Sequence, residues 1–251
     1  MSQTPSKAKL PKQKASQSLL GSSELIRKLQ NLLDKDLPQS QTRFSERLTQ
    51  NMDFTSSLKL SEVHGHLRLL EKKASVNSGA KPTDDQKRAL NSAFERVRRS
   101  IEQNIDQSFD LSIVQPRFPL PRIDLEKEGL DLSAYQKFYQ AQQSEMSAKI
   151  QGLRTYVRET LSATSVNMAK LALLDTTLEE TIGFPLRSGF AAISKVILKY
   201  SQKIEAQWSK GDKPAQLAGF HGELYQLLSA ELELRLQPIH GLINAFNQEV
   251  L

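Results

Sequence analysis

Residues 220–246, FHGELYQLLSAELELRLQPIHGLINAF, are predicted to form the helix around which the rest of the chain packs. Apolar residues recur there every three or four positions, the spacing that places side chains on one face of an α-helix. That face comprises Phe220, Leu224, Leu228, Leu232, Leu236, Ile239, Ile243 and Phe246. Leu227 and Leu234 widen it, so the helix is expected to contact neighbours on more than one side.

A proline interrupts this pattern. Pro238 lacks a backbone donor, so it is predicted to kink or break the helix between residues 234 and 237. Residues 239–249 are apolar enough to fold back into the same core.

The composition indicates a soluble chain that is long enough to bury a sizeable core. It has 251 residues, of which 38% are hydrophobic and 25% charged. The absence of cysteine excludes disulfides and thiolate metal sites and fits a reducing cytosol. Neither a membrane span nor a signal peptide is expected, because the uncharged stretches are short and no apolar segment follows the N-terminal lysines.

The net charge of +6 is concentrated at the N-terminus. Residues 1–20 contain Lys7, Lys9, Lys12 and Lys14 and no acid, so the rest of the chain carries only 6 − 4 = +2. A balanced body with a basic tail differs from the broad positive face of a nucleic-acid-binding fold. Residues 1–20 are therefore predicted to be a disordered, solvated tail, with binding to acidic lipid or nucleic acid as the alternative.

Residues 21–110 are predicted to form an N-terminal helical region. Apolar stripes at helical spacing occupy residues 25–33, 44–52, 60–70 and 90–105. The last of these helices has a capping box, in which Thr83 accepts from the backbone three residues on and Gln86 reaches back.

Arg96, Arg98 and Arg99 form a basic cluster on that last helix. The helix also carries as many acids as bases between residues 84 and 106, so a solvated helix face is favoured over a phosphate-binding site.

Residues 111–131 are predicted to be a proline-rich strap between the two halves of the chain. Three prolines surround Phe118 and Leu120 in QPRFPLPRID, which excludes a helix interior. An extended segment with its apolar residues docked on the bundle is favoured, and a ligand for a proline-recognition module is the alternative.

Residues 132–251 are predicted to form a C-terminal bundle of long, mostly antiparallel helices. A helix of about 30 residues, or about 45 Å, is expected, and SATSVN (residues 162–167) is expected to interrupt or kink it. The next helix is expected to end near Gly183 and Pro185, and a further one at the GDKP turn of residues 211–214. The whole chain is thus predicted to be an elongated all-α multi-helix bundle with coiled-coil character.

A search for catalytic and metal-binding patterns identifies no candidate. His64 and His66 point to different faces of a helix and have no accompanying ligand pattern. Phosphate-cradling glycine loops, G-x-S-x-G and HExxH are absent from the sequence. The carboxylate pairs Glu179–Glu180 and Glu231–Glu233 are expected on solvated helix faces. No catalytic, cofactor-binding or metal-binding residue is therefore predicted.

The order of SSELIRKL, FSERLTQNMDFTSSLKL, FPLP, YQKFYQAQQSEM, LALLDTTLEETI and ELELRLQPIHGLINAF resembles domain-of-unknown-function family 3348 of proteobacteria, from about residue 22 to residue 249. The last motif is the most specific, whereas Asn51 stands where the family usually has tryptophan. The family offers no established catalytic residues. Its genes tend to lie beside those for a large inner-membrane protein related to proton-channel stators and an OmpA-like envelope protein. The resemblance thus implies a cytosolic component of an ion-driven envelope machine.

The sequence and the family resemblance are compatible with three functions. The favoured one is a non-enzymatic cytoplasmic adaptor or assembly protein, peripheral at the inner membrane, that binds a protein partner with long helices. A nucleic-acid-associated protein that acts through the tail and the arginine cluster is the alternative, and an enzyme with an unrecognised site is the third. Self-association is a further expectation. The predicted partner-binding residues are Arg96, Arg98, Arg99, Phe118, Leu120 and Leu234.

Overall fold

The computed structural model of the protein describes residues 24–33, 81–124, 133–207 and 212–249. Within these ranges the chain forms five α-helices and no β-strand. They are α1 (Glu24–Leu33), α2 (Asp84–Phe109), α3 (Ser133–Thr164), α4 (Val166–Gln207) and α5 (Lys213–Gln248). The all-α fold predicted from the sequence is confirmed.

The helices form a bundle in which most neighbours run antiparallel. Residues late in α2 meet residues early in α3, as in the contact of Ser108 with Gln142. Helices α3 and α4 are also antiparallel, since Gln143 contacts Phe190 and Arg154, later in α3, contacts Asp175, earlier in α4. Helices α4 and α5 are antiparallel as well, since Phe190 contacts Arg235 and Tyr200, later in α4, contacts Phe220, earlier in α5. Helices α3 and α5 run parallel, since Tyr135 meets His221 and Tyr139 meets Glu231 further along both helices.

Local sequence fixes the starts of α2 and α5. The hydroxyl of Thr83 accepts from the amide of Gln86 at 3.2 Å, and the Gln86 side chain accepts from the Thr83 amide at 2.9 Å, which confirms the predicted capping box. Asp84 and Asp85 follow in the first turn, where the helix dipole favours negative charge. Asp212 caps α5 by accepting from the amide of Ala215.

The turn between α3 and α4 is a single residue long. Helix α3 ends at Thr164 and α4 begins at Val166, so the predicted interruption at SATSVN is confirmed. The hydroxyl of Ser165 accepts from the amide of Met168 at 3.2 Å, which satisfies a free donor in the first turn of α4.

Helix α4 continues where the sequence predicted an end. It passes through Gly183 and Pro185 without a break, so the prediction that a helix ends there is wrong. Proline removes only one backbone donor, and the helix is held on both sides of this point. Asp175 packs against α3 before it and Ile193 and Ile197 are buried after it. Packing of the flanks thus outweighs the local preference of the proline.

Helix α5 contains the stretch that organises the core. All eight residues of the predicted apolar face are buried, so the phase of that helix is confirmed. The helix also continues through Pro238, and the predicted break does not occur. Ile239, Ile243 and Phe246 extend the same buried face beyond the proline, which keeps the last turns docked.

One apolar cluster joins all five helices and the strap. It includes Leu25 of α1, Ile101 of α2, Tyr139 of α3, Ile197 of α4 and Leu228 of α5. The helix from the N-terminal region therefore packs on the same core as the C-terminal helices. The division into regions at residues 21–110, 111–131 and 132–251 stays a prediction.

Residues 110–124 cross the bundle without regular structure. Leu120 is buried, and Phe118 and Ile123 pack against the core. Arg117 pairs with Glu145 of α3 at 2.8 Å. This part of the strap lies docked on the bundle, in the manner favoured from the sequence.

Several predictions concern residues outside the described ranges. They are the disordered tail at residues 1–20, the helices expected at 44–52 and 60–70, the loop at 71–80 with His64 and His66 before it, the end of the strap at 125–131, and the beginning of the GDKP turn at residue 211.

Candidate functional site

The centre of the bundle contains a carboxylate with no exposed surface. Glu231 of α5 has a relative exposure of 0%. One of its oxygens accepts from the Tyr139 hydroxyl at 2.7 Å, and the other accepts from Arg235 Nε at 2.8 Å. Gln143 Nε2 lies 3.0 Å from both oxygens. We call these four residues the Glu231 cluster.

The cluster ties three helices together. Gln143 Nε2 also donates to the Phe190 carbonyl of α4 at 2.8 Å, while Arg235 donates to Ser147 of α3 at 2.9 Å. The guanidinium of Arg235 stacks over the Phe190 ring, 3.9 Å from its centroid. Contacts from α3, α4 and α5 therefore converge on one buried ion pair.

The electrostatics of the cluster follow from burial. Arg235 neutralises Glu231, and three donor side chains occupy its two oxygens. Burial, together with the neighbouring carboxylate, raises the pKa of the Tyr139 hydroxyl well above its ordinary value, so Tyr139 stays protonated as a donor. The expectation that Glu231 lies on a solvated face is wrong. Hydrogen bonds from α3 and α5 offset the cost of removing its carboxylate from water. Glu233 is exposed, as predicted.

A second ion-pair cluster joins α3 to the first half of α4. Arg154 donates to Asp175 through Nε and Nη2 at 2.8 and 2.6 Å, in the two-pronged geometry that strengthens such pairs. Arg158 contacts Asp175 and also Glu179, each at 2.7 Å. Glu179 is thus engaged between two arginines rather than solvated as expected, whereas Glu180 is exposed.

A tyrosine–histidine pair lies beneath the strap. The Tyr135 hydroxyl is 2.7 Å from His221 Nε2 and 3.4 Å from the Pro121 carbonyl. Burial lowers the pKa of His221 and raises that of Tyr135. The pair is therefore expected to be neutral at physiological pH and to link α3, α5 and the strap.

This pair leads to a pH prediction. Because the folded-state pKa of His221 lies below its unfolded value near 6.5, the unfolded chain binds more protons as the pH falls below about 6.5. The free energy of unfolding should thus decrease as the pH falls from about 6.5 towards 5. Urea denaturation of wild-type protein and His221→Gln across this range tests it. The variant should show a flatter dependence, and an unchanged slope would assign the effect to another group.

The predicted arginine cluster does not form a free basic patch. Arg98 pairs with Glu102 at 2.9 Å and with Glu233 of α5 at 2.7 Å. The hydrogen bond to Glu102 contributes most to raising the pKa of Arg98. Arg99 lies 3.9 Å from Glu95, and Arg96 is exposed. Two of the three guanidinium groups are thus paired with carboxylates of the protein.

The other predicted partner-binding residues contribute to packing. Leu120 is buried, Phe118 is half-buried beneath the Arg117 guanidinium, and Leu234 is half-buried against the core. Their apolar surface is largely used within the bundle. The contact of these three residues with a partner stays a prediction.

The start of the strap exposes two apolar side chains that the sequence did not single out. Leu111 is 75% exposed and Val114 is 86% exposed. Just before them, the Phe109 ring meets the Tyr225 ring edge-on, with 5.5 Å between centroids. Tyr225 in turn donates to Asp106 at 2.9 Å.

A groove of about 190 Å³ lies between α2 and α5, and Asp106 and Tyr225 are among the residues that line it. Its apolar floor includes Ile105 and Leu232, and its rim carries the carboxylates of Glu102, Asp106 and Glu233. The guanidinium of Arg98 pairs with two of these acids, Glu102 and Glu233. We call this surface the α2–α5 groove.

Sequence reasoning missed the Glu231 cluster, although a signal was present. Gln143 occupies the stripe of α3 between Tyr139 and Met146, and Glu231 follows Leu228 on the stripe of α5. Polar residues at core positions of two helices, with arginine one turn after the glutamate, indicate a buried network. The exposed residues of the strap carry no periodic signal.

The described residues contain no group of three or more histidine, aspartate or glutamate side chains arranged to hold a metal ion. Nor does any described helix combine the length and apolar character that crossing a membrane requires.

The described chain is thus an all-α bundle that has a buried polar cluster at its centre and exposed apolar surface on its strap. It belongs to the family described as Protein of unknown function (DUF3348), whose pattern matches residues 12–248. The resemblance noted from the motifs is thereby confirmed. Neither a curated protein nor a solved structure matches the chain.

Proposed function

We propose that this protein is a non-enzymatic adaptor that binds an amphipathic helix of a protein partner at the α2–α5 groove and the start of the strap. The observation that carries the proposal is the exposure of Leu111 and Val114 at 75% and 86%. Exposing large apolar side chains to water is unfavourable, and neighbouring ones often mark a contact surface.

The surroundings of these side chains favour a helical partner. Leu111 and Val114 follow closely after Phe109 in the chain, and the Phe109 ring contacts Tyr225, which lines the groove. The groove has an apolar floor and a polar rim, an organisation that is found at protein interfaces. An amphipathic helix can place its apolar face in such a groove through residues three and four apart.

The acidic rim of the groove favours a partner that carries basic residues. The carboxylates of Glu102, Asp106 and Glu233 outnumber the Arg98 guanidinium at the rim, so lysine or arginine beside the partner's apolar face would be complementary. Cytoplasmic segments next to membrane spans are enriched in these residues. This agrees with a partner in the inner-membrane complex that the family's gene neighbourhood implies, and with a protein that acts at the cytoplasmic side of that membrane.

The test is recruitment to the membrane in cells. Leu111→Asp combined with Val114→Asp should abolish co-fractionation with the inner membrane and recovery of the complex after mild detergent extraction. Tyr156→Asp, which alters an exposed apolar residue of α3 that does not line the groove, is the matched control and should keep both. Both variants should unfold like the wild type, since the changed side chains are exposed.

Salt and truncation separate this proposal from the nucleic-acid alternative. Apolar burial is screened far less than ion pairing, so recruitment should survive moderate salt. Removal of residues 1–20 should weaken it only slightly. Loss of all recruitment on truncation, or DNA binding that falls steeply with salt, would favour the tail as the binding element.

A further inference from the structure

Helix α4 carries an exposed seam that faces away from the Glu231 cluster and is separate from the α2–α5 groove. Positions alternately three and four residues apart share one face of the helix and form a heptad pattern. From residue 174 onward, those with described side chains are Leu174, Leu178, Thr181, Ser188 and Ala192, whereas Leu171, one step earlier, packs against the core. Leu174 and Leu178 are 39% and 53% exposed, and Ser188 and Ala192 are exposed as well. We call this face the α4 seam.

The α4 seam is free of charge from Leu174 to Ala192, over about five turns. Its next heptad position after Ala192 is Lys195, which ends it. The hydroxyls of Thr177 and Thr181 donate to backbone carbonyls one turn earlier, at 3.0 and 2.7 Å. These two hydroxyls keep a backbone acceptor when a partner covers them, so their burial does not leave a donor without an acceptor.

Side-chain size is graded along the α4 seam. Leucines occupy its first part, at Leu174 and Leu178, and small residues occupy its last part, at Ser188 and Ala192. Two helices pack most evenly where large residues face small ones, because the interaxial distance depends on the side chains at the contact.

We propose that the α4 seam binds the same seam of a second copy of the chain, antiparallel and about a two-fold axis. In the antiparallel register, Leu174 faces Ala192 of the second copy and Leu178 faces Ser188. Each such layer combines a large and a small side chain. A two-fold axis repeats both contacts, as in the commonest class of homodimer.

Other arrangements fit this face less well. A parallel pair would place leucine against leucine at one end and alanine against alanine at the other, which wedges the helices apart and leaves a void. Between residues 174 and 192, the flanking residues Thr177 and Ala191 carry no charge, so a second copy meets no like-charge repulsion at these two positions. Lys195 of one copy lies opposite Leu171 of the other, where the contact ends.

Cysteine cross-linking tests the register, since the chain contains no native cysteine. Leu174→Cys and Ala192→Cys are made as separate variants of the full chain and oxidised alone and as a mixture. The two positions are eighteen residues, or about 27 Å, apart on the helix, so in the antiparallel pair only unlike variants can meet the geometry of a disulfide. The mixture should give a disulfide-linked dimer and each variant alone should not. Cross-linking of each variant with itself, or of none, would overturn the proposal.

Sedimentation velocity over a range of protein concentrations tests the association itself. The wild type should form a dimer. Leu174→Asp with Leu178→Asp should raise the dissociation constant of that dimer roughly a hundredfold or more, because each leucine contact occurs twice in a symmetric dimer and both copies are removed. Leu111→Asp with Val114→Asp is the matched control and should leave the dimer unchanged, although it abolishes the proposed recruitment. A monomeric wild type, or equal effects of the two pairs, would refute the α4 seam as the contact.

Discussion

Glu231→Met is expected to lower the free energy of unfolding by about 3–5 kcal/mol, the usual result of removing one member of a buried ion pair. The change leaves the Arg235 guanidinium nearly buried without its carboxylate. It also removes the acceptor of the Tyr139 hydroxyl and of one Gln143 hydrogen bond. Urea denaturation at neutral pH, followed by far-ultraviolet circular dichroism, measures the loss.

The matched control is Glu233→Met, the same substitution two residues along α5. Glu233 pairs with Arg98 at the surface, and exposed pairs contribute about 0.2–1 kcal/mol. A loss of similar size for the two variants would contradict the assignment of Glu231 to the core. High salt distinguishes them further, because the buried pair is screened much less than the exposed one.

A combined apolar replacement shows whether the Glu231 cluster contributes net stability or is costly only when one of its members is left without a partner. Changing Glu231, Arg235 and Gln143 to methionine and Tyr139 to phenylalanine removes donors and acceptors together. Such replacements are often neutral or stabilising by about 1–4 kcal/mol. The combined variant is therefore expected to recover the stability that Glu231→Met loses. A loss as large as that of the single variant would show that the cluster contributes net stability.

The parts of the fold that follow from periodicity were predictable from the sequence. The buried face of α5, the stripe of α2 and the interruption after α3 each depend on spacing or on a local cap. These signals arise within a few turns of one helix, so they survive whatever the helix packs against.

The parts that depend on which helices meet were not predictable. Pro185 is a local helix breaker, yet α4 continues because both its flanks are held by neighbours. Glu231 resembles its exposed neighbour Glu233 in sequence, and only the position of Tyr139 and Gln143 on α3 distinguishes the two environments. Tertiary packing decides such positions, and a single sequence contains no direct record of the pairing.

The exposed surfaces were also outside the reach of pattern analysis. The arginine cluster was conspicuous in the sequence, but Arg98 and Arg99 are paired with acids of the bundle. Leu111 and Val114 lie in an irregular segment, where periodicity gives no information about exposure. Both surfaces proposed for binding follow from solvent exposure, which the fold determines.

Leu232→Ala is expected to cost about 2–5 kcal/mol, because the substitution leaves a cavity where a nearly fully buried leucine packed. Leu236, one turn further along α5 and equally buried, should behave alike on substitution by alanine. Glu233→Ala should cost about 0.5 kcal/mol, since it removes only a surface pair. Urea denaturation of the three variants compares buried and exposed positions of the same helix, and differences in helix propensity between them are small beside the cost of the cavity. If Leu232→Ala and Glu233→Ala cost the same, the face that α5 presents to the core would have to be reassigned, and with it the floor of the α2–α5 groove that Leu232 forms.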